Sequence, residues 1–107
     1  MNQIPYKRRL QVYSDAVNLY GIDNQMIVAL EELSECQKEI CKILRGKGNR
    51  ENLAEEIADA TIMLEQLRYI FLINDSVCMA MDAKITRLCN RVFEDSRGAC
   101  GFGSTGK

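Results

Sequence analysis

The chain contains no histidine, and no imidazole can therefore serve as base, nucleophile partner or metal ligand. That excludes Ser-His-Asp and Cys-His hydrolases. It also excludes zinc enzymes with histidine ligands and di-iron bundles built on Glu-x-x-His pairs. Any chemistry must come from carboxylates, thiols, amines, hydroxyls or backbone. Proline is equally scarce. The only one is Pro5, so the rest of the chain is free to be helical. Long apolar runs are missing too: Ile70-Phe71-Leu72-Ile73 is far too short to span a bilayer. No apolar stretch follows the basic residues Lys7, Arg8 and Arg9, so the start does not read as a signal peptide. There is no basic excess of the kind that nucleic-acid-binding domains carry: 14 Lys and Arg stand against 15 Asp and Glu. The five cysteines (Cys36, Cys41, Cys78, Cys89, Cys100) are odd in number and form no C-x-x-C. They read as reduced thiols in a cytoplasmic protein, with Cys36 and Cys41 as small core residues.

What remains is a 107-residue chain with an ordinary globular composition, enough for one domain. Tyr6, Leu10, Tyr13, Val17 and Tyr20 recur at helical spacing and predict a first helix ended by Gly21. Met26, Leu30, Leu33, Gln37, Ile40 and Leu44 predict a second over about 24–45, capped by Asp23 or Asn24. After Gly46-Lys47-Gly48, Asn49 caps a third helix. It should run to about Ile73 on Leu53, Ile57, Ala60, Leu64, Leu67 and Phe71. A fourth covers about 77–94 on Met81, Ile85, Leu88 and Val92. No strand-like alternation occurs. The expected fold is all-α, an antiparallel four-helix bundle over residues 1–95, with a flexible Gly/Ser-rich tail at 96–107. Gly101 to Lys107 matches G-x-x-x-x-G-K by letter, but no strand precedes it and no Ser or Thr follows the lysine, so it is not a P-loop.

The acids are not scattered. Residues 31–65 hold nine acids against five bases, a net of −4, and the remainder nets +3. Positions i and i+3 lie about 60° apart on a helix. Glu32 and Glu35 therefore share a face that Glu39 continues, and Glu56 and Asp59 share one on the third helix. Both faces border the apolar stripe. If the two helices pack antiparallel, four carboxylates converge in a half-buried place. Like charges there raise one another's pKa, and a hard cation such as Mg²⁺ resolves the conflict with oxygen ligands. The plainer alternative is a solvated face whose acids pair with Lys38, Lys42 and Arg45 at i,i+4 spacing.

Glu31-Glu32-Leu33-Ser34-Glu35, twenty residues, then Glu56-Ile57-Ala58-Asp59 is E-E-x-x-E followed by E-x-x-D. Over about residues 25–95 this resembles the signature of the MazG-like all-α nucleoside triphosphate pyrophosphohydrolases. The resemblance implies that Glu32, Glu35, Glu56 and Asp59 hold one or more Mg²⁺, with Mn²⁺ as a substitute. It implies that Glu31 or Glu39 lies behind them or positions a catalytic water. The implied reaction is hydrolysis of a nucleoside or deoxynucleoside triphosphate to monophosphate and pyrophosphate, clearing unwanted nucleotides from the pool. Lys84, Arg87 and Arg91 share one face of the fourth helix; Lys84 and Arg91 resemble the family's phosphate-binding Lys and Arg, and a solvated basic face is the alternative. Tyr13 on the first helix is the candidate for stacking on the nucleobase, against a plain core role. Apolar residues off the main stripes, such as Ile27, Val28, Ile62 and Ile70, point to self-association, and the family's habit implies a homodimer or homotetramer. Two alternatives stand beside this: a non-enzymatic helical interaction module, and a related hydrolase specific for dUTP or dCTP. Neither a membrane nor a nucleic-acid partner is expected.

Overall fold

The computed structural model describes residues 3–102, and the side chains of residues 3–97. Cys100 and the Gly/Ser-rich end of the chain fall outside the described side chains. The described residues form four helices, α1 (Tyr6–Tyr20), α2 (Ile22–Leu44), α3 (Arg50–Ile70) and α4 (Asn74–Phe102), and contain no strand. The fold is all-helical, as the periodicity predicts. None of the helices is long and apolar enough to cross a membrane. The chain divides into two compact units, Met1–Leu72 and Ile73–Lys107. The first holds α1, α2 and α3, each in contact with the other two.

Local chemistry sets the helix ends. A single residue, Gly21, turns the chain from α1 into α2. Its φ of 90° is open to glycine and strained for any side chain. Its N–H donates to Val17 O at 2.8 Å. Because one residue suffices, α2 starts earlier than expected. Asp23 lies in its first turn, and the Asn24 amide donates back to Tyr20 O at 2.8 Å instead of capping. At the other end Gly46 has φ 75°. Lys47 N donates to Lys42 O at 2.9 Å and Gly46 N to Ile43 O at 2.9 Å, a Schellman closure. Asn49 caps α3 as expected, accepting from Asn52 N at 2.8 Å. Only five residues, 45–49, separate α2 from α3, so the two run antiparallel. α3 stops at Ile70, short of the expected Ile73, and Leu72 takes the left-handed seat that follows it, with φ 54°. α4 continues to Phe102, past the predicted end near Glu94, so the first residues assigned to the tail are helical.

α2, and in part α3, is rolled differently from its apolar stripe. On α2 the buried residues are Gln25, Ala29 and Glu39, with Glu32 and Cys36 half-buried between them. This line is the predicted stripe moved back by one residue, a roll of about 100°. Met26, Leu30, Leu33, Gln37, Ile40 and Leu44 are all exposed instead; Leu30 is 68% and Leu44 82% exposed. On α3 the inner line is Leu53, Glu56, Ala60, Met63, Leu67 and Ile70, while Ile57, Leu64 and Phe71 face out. The small side chains of Ala29 and Ala60 line the inner face, where bulk would hold two backbones apart. Periodicity marks an apolar stripe but does not say which neighbour it meets. On α1, Tyr13 is buried, Leu10 and Val17 are half-buried, and Tyr6 and Tyr20 are exposed. Cys36 is half-buried but Cys41 is exposed, so the expectation of two core thiols holds only for the first. Cys36, Cys41, Cys78 and Cys89 are free thiols.

Candidate metal centre

The roll of α2 decides where its acids go. With Ala29 and Cys36 turned inward, Glu32 lies between them on the same line. On α3, Glu56 precedes Ala60 by one turn and is inward too, with Asp59 at the rim. Gln66 Nε2 donates to Gln25 Oε1 at 2.7 Å, which marks the register of the antiparallel pair. Seven residues forward from Gln25 is Glu32, and seven back from Gln66 is Asp59. Ten steps in each direction reach Glu35 and Glu56. One carboxylate oxygen from each of Glu32, Glu56 and Asp59 lies within 4.8 Å of the other two. Glu32 and Glu56 are half-buried, whereas Asp59 and Glu35 are exposed.

The electrostatics are those of an unneutralised acidic cluster. Partial loss of water pushes the Glu56 carboxyl above its ordinary value, and the charges of Asp59, Glu35, Glu32 and Glu39 push it further. The ion pairs Arg9–Glu65 and Lys42–Glu39 involve other acids than Glu32, Glu35, Glu56 and Asp59. Of the surface pairs expected with Lys38, Lys42 and Arg45, one is seen among the described residues, at i,i+3 spacing. Lys42 Nζ donates to Glu39 Oε2 at 3.2 Å. Glu39 is only 8% exposed, and its Oε1 is buried with no hydrogen-bond partner. A buried anionic oxygen without a donor is costly, and a cation or a bound water meets that need.

The donor set is all oxygen and rich in charge. Mg²⁺ binds oxygens at about 2.1 Å, which places neighbouring ligands about 3 Å apart. The three carboxylates are within a side-chain rotation of that spacing. The residues present therefore fit a hard divalent cation held by Glu32, Glu56 and Asp59, with Glu35 at the open edge. Glu31 is exposed and points away from this line.

Two other sets of expected residues sit elsewhere. Tyr13 is buried, and its hydroxyl donates a short hydrogen bond to Glu65. Its ring is thus a core element, the plainer of the two roles expected for it. Lys84, Arg87 and Arg91 lie on α4 in the second unit, all exposed. Their spacing does give them one helix face.

Nothing in the residue pattern signals the Arg9–Tyr13–Glu65 cluster. Arg9 Nε and Nη2 donate to Glu65 at 2.9 and 3.2 Å, a bidentate bond that ties α1 to α3. The bond from Arg9 pulls the Glu65 carboxyl below its ordinary value against its burial, and Tyr13 adds to this. Burial, then the bond to Glu65, pushes the Tyr13 phenol up to about 12. In sequence, Glu65 is one more acid in an acidic window, and nothing marks it as the one with partners.

Comparison with protein-family models, with curated proteins and with solved structures finds no match to this chain.

Proposed function

We infer that the protein is a divalent-cation-dependent hydrolase of nucleoside or deoxynucleoside triphosphates, of the MazG-like kind, releasing the monophosphate and pyrophosphate. The observation that carries this reading is the convergence of Glu32, Glu56 and Asp59. A polyanionic substrate brings phosphate oxygens to such a centre, and Mg²⁺, or Mn²⁺ in its place, joins the two. When bound, the metal neutralises the phosphates, orients them and lowers the pKa of a water. Glu32, Glu35, Glu56 and Asp59 are its ligands in this reading. The water oxygen bonds to the α-phosphorus, the α–β bridging bond breaks, and pyrophosphate leaves with that bridging oxygen. The water's proton passes to a carboxylate. Glu39, whose buried oxygen has no partner, takes it in this reading, ahead of the exposed Glu31.

The exposed stripe of α2 supports a homodimer or homotetramer. Leu30, Leu33, Ile40 and Leu44 form one apolar strip that a second copy would cover. The same strip favours the second reading, a helical interaction module without catalysis. Pyrophosphate release from a panel of nucleoside and deoxynucleoside triphosphates, with and without Mg²⁺, separates the two. The panel also reveals specificity for dUTP or dCTP. Glu56→Gln and Asp59→Asn should each abolish release while the helical content stays unchanged. No release from any nucleotide, together with no Mg²⁺-induced rise in melting temperature, would sink the enzyme.

A further inference from the structure

We propose that Gln25 and Gln66 are positioning residues that set the roll and register of α2 against α3, and that the carboxylate cluster exists only because of them. This rests on reading the cluster as a cation site. Left to apolar burial, α2 would turn its stripe of Met26, Leu30 and Leu33 inward. It is instead rolled by one residue, with Gln25, Glu32 and Glu39 on the inner line. The buried neighbours Ala29, Ala60 and Met63 do not select this arrangement, because small and flexible apolar side chains pack in several registers. The glutamines do. They are 8% and 3% exposed and joined at 2.7 Å. A slip of one turn, or a roll back to the apolar stripe, would leave two buried amides without partners. A buried polar residue specifies register in coiled coils, at a cost in stability.

The consequence for the cluster is geometric. A one-turn slip moves one helix by about 5.4 Å along the other, more than twice a metal–oxygen bond of about 2.1 Å. The short turn at 45–49 holds one end of the hairpin and the glutamine pair the other. Glu32, Glu35, Glu56 and Asp59 lie between these two clamps.

The test uses the full chain and Mn²⁺ as the metal probe. The variant Gln25→Leu with Gln66→Leu replaces both amides by apolar groups and should keep or raise the melting temperature. Two-dimensional NMR then reads the seam. In the unaltered protein, Ala29 should show contacts with Ile62 and Met63 of α3; in the variant, contacts from Leu30 and Leu33 to α3 should replace them. Mn²⁺ affinity, read by electron paramagnetic resonance, should fall about tenfold or more. Gln25→Glu, which still accepts from Gln66 Nε2, should keep the contacts and the affinity. If the double variant does not fold, Gln25→Met is read in the same way. Unchanged contacts in the apolar variant overturn the proposal, whatever the Mn²⁺ affinity does. If the contacts move but the unaltered protein binds no Mn²⁺, the register role stands and the cation reading falls.

Discussion

Glu56 is the residue whose protonation state best reports on the centre. Its carboxyl is held above the ordinary value of 4.5 by burial and by four neighbouring acids. A raised folded-state pKa means that the protonated form is favoured by folding. The metal-free protein should therefore lose stability as pH rises from the ordinary carboxylate range through the folded pKa. Glu56→Gln removes that loss, so without divalent ions it should melt higher than the unaltered protein at neutral pH. With Mg²⁺ the order should reverse. A ligand at a hundred times its dissociation constant stabilises by about 2.7 kcal/mol, and the variant lacks the site. Thermal melts at two pH values, with Mg²⁺ or a chelator, check both halves. Glu65 behaves in the opposite sense. Arg9 and Tyr13 hold its pKa down, so its contribution is present above the ordinary carboxylate range and is lost as pH falls through the lowered value. Glu65→Leu leaves the buried Tyr13 hydroxyl without an acceptor and should cost about 1–3 kcal/mol in urea unfolding. In the unaltered protein the Tyr13 phenolate should appear only near pH 12 in an ultraviolet titration.

At the scale of the helices, the turns differ in how well their residues suit them. Gly21 and Gly46 sit where a positive φ is required, and both were legible as helix stops. Leu72 occupies the equivalent left-handed seat after α3, is 87% exposed, and has a side chain that pays for the conformation. Leu72→Gly should therefore stabilise the protein, by about 1 kcal/mol given the usual left-handed penalty. A higher urea midpoint with an unchanged slope confirms it; a lower midpoint means that the leucine has a partner worth more than the strain. Helix positions were legible because Asn49, Gly21 and Gly46 act on their immediate neighbours. The ends of α3 and α4 were not. Asn74-Asp75-Ser76 reads as a turn by composition, yet Asn74 begins α4, since short polar residues serve equally in a turn or in a first helical turn.

For the whole molecule, the roll of α2 turns an apolar strip to solvent. Ile40→Lys with Leu44→Lys should leave the helical content of the subunit unchanged, since both side chains are exposed within it. The same pair should shift sedimentation from an oligomer to a monomer. A monomer already in the unaltered protein refutes the assembly while leaving the carboxylate cluster untouched.

The absent histidine, the near-absent proline and the period of the apolar residues determined an all-helical chain whose chemistry falls to carboxylates. The spacing of Glu32, Glu35, Glu56 and Asp59 determined which of them share a helix face. These are one-helix properties, set by 3.6 residues per turn. Only the tertiary structure decided which stripe of α2 meets α3, that Tyr13 belongs to the core with Glu65, and that Glu39 is buried with one oxygen unpartnered. Those outcomes depend on pairings between residues far apart in sequence: Gln25 bonded to Gln66 and Arg9 bonded to Glu65. A single-helix pattern carries no record of such pairings, because each partner gains its meaning only when the other is in place.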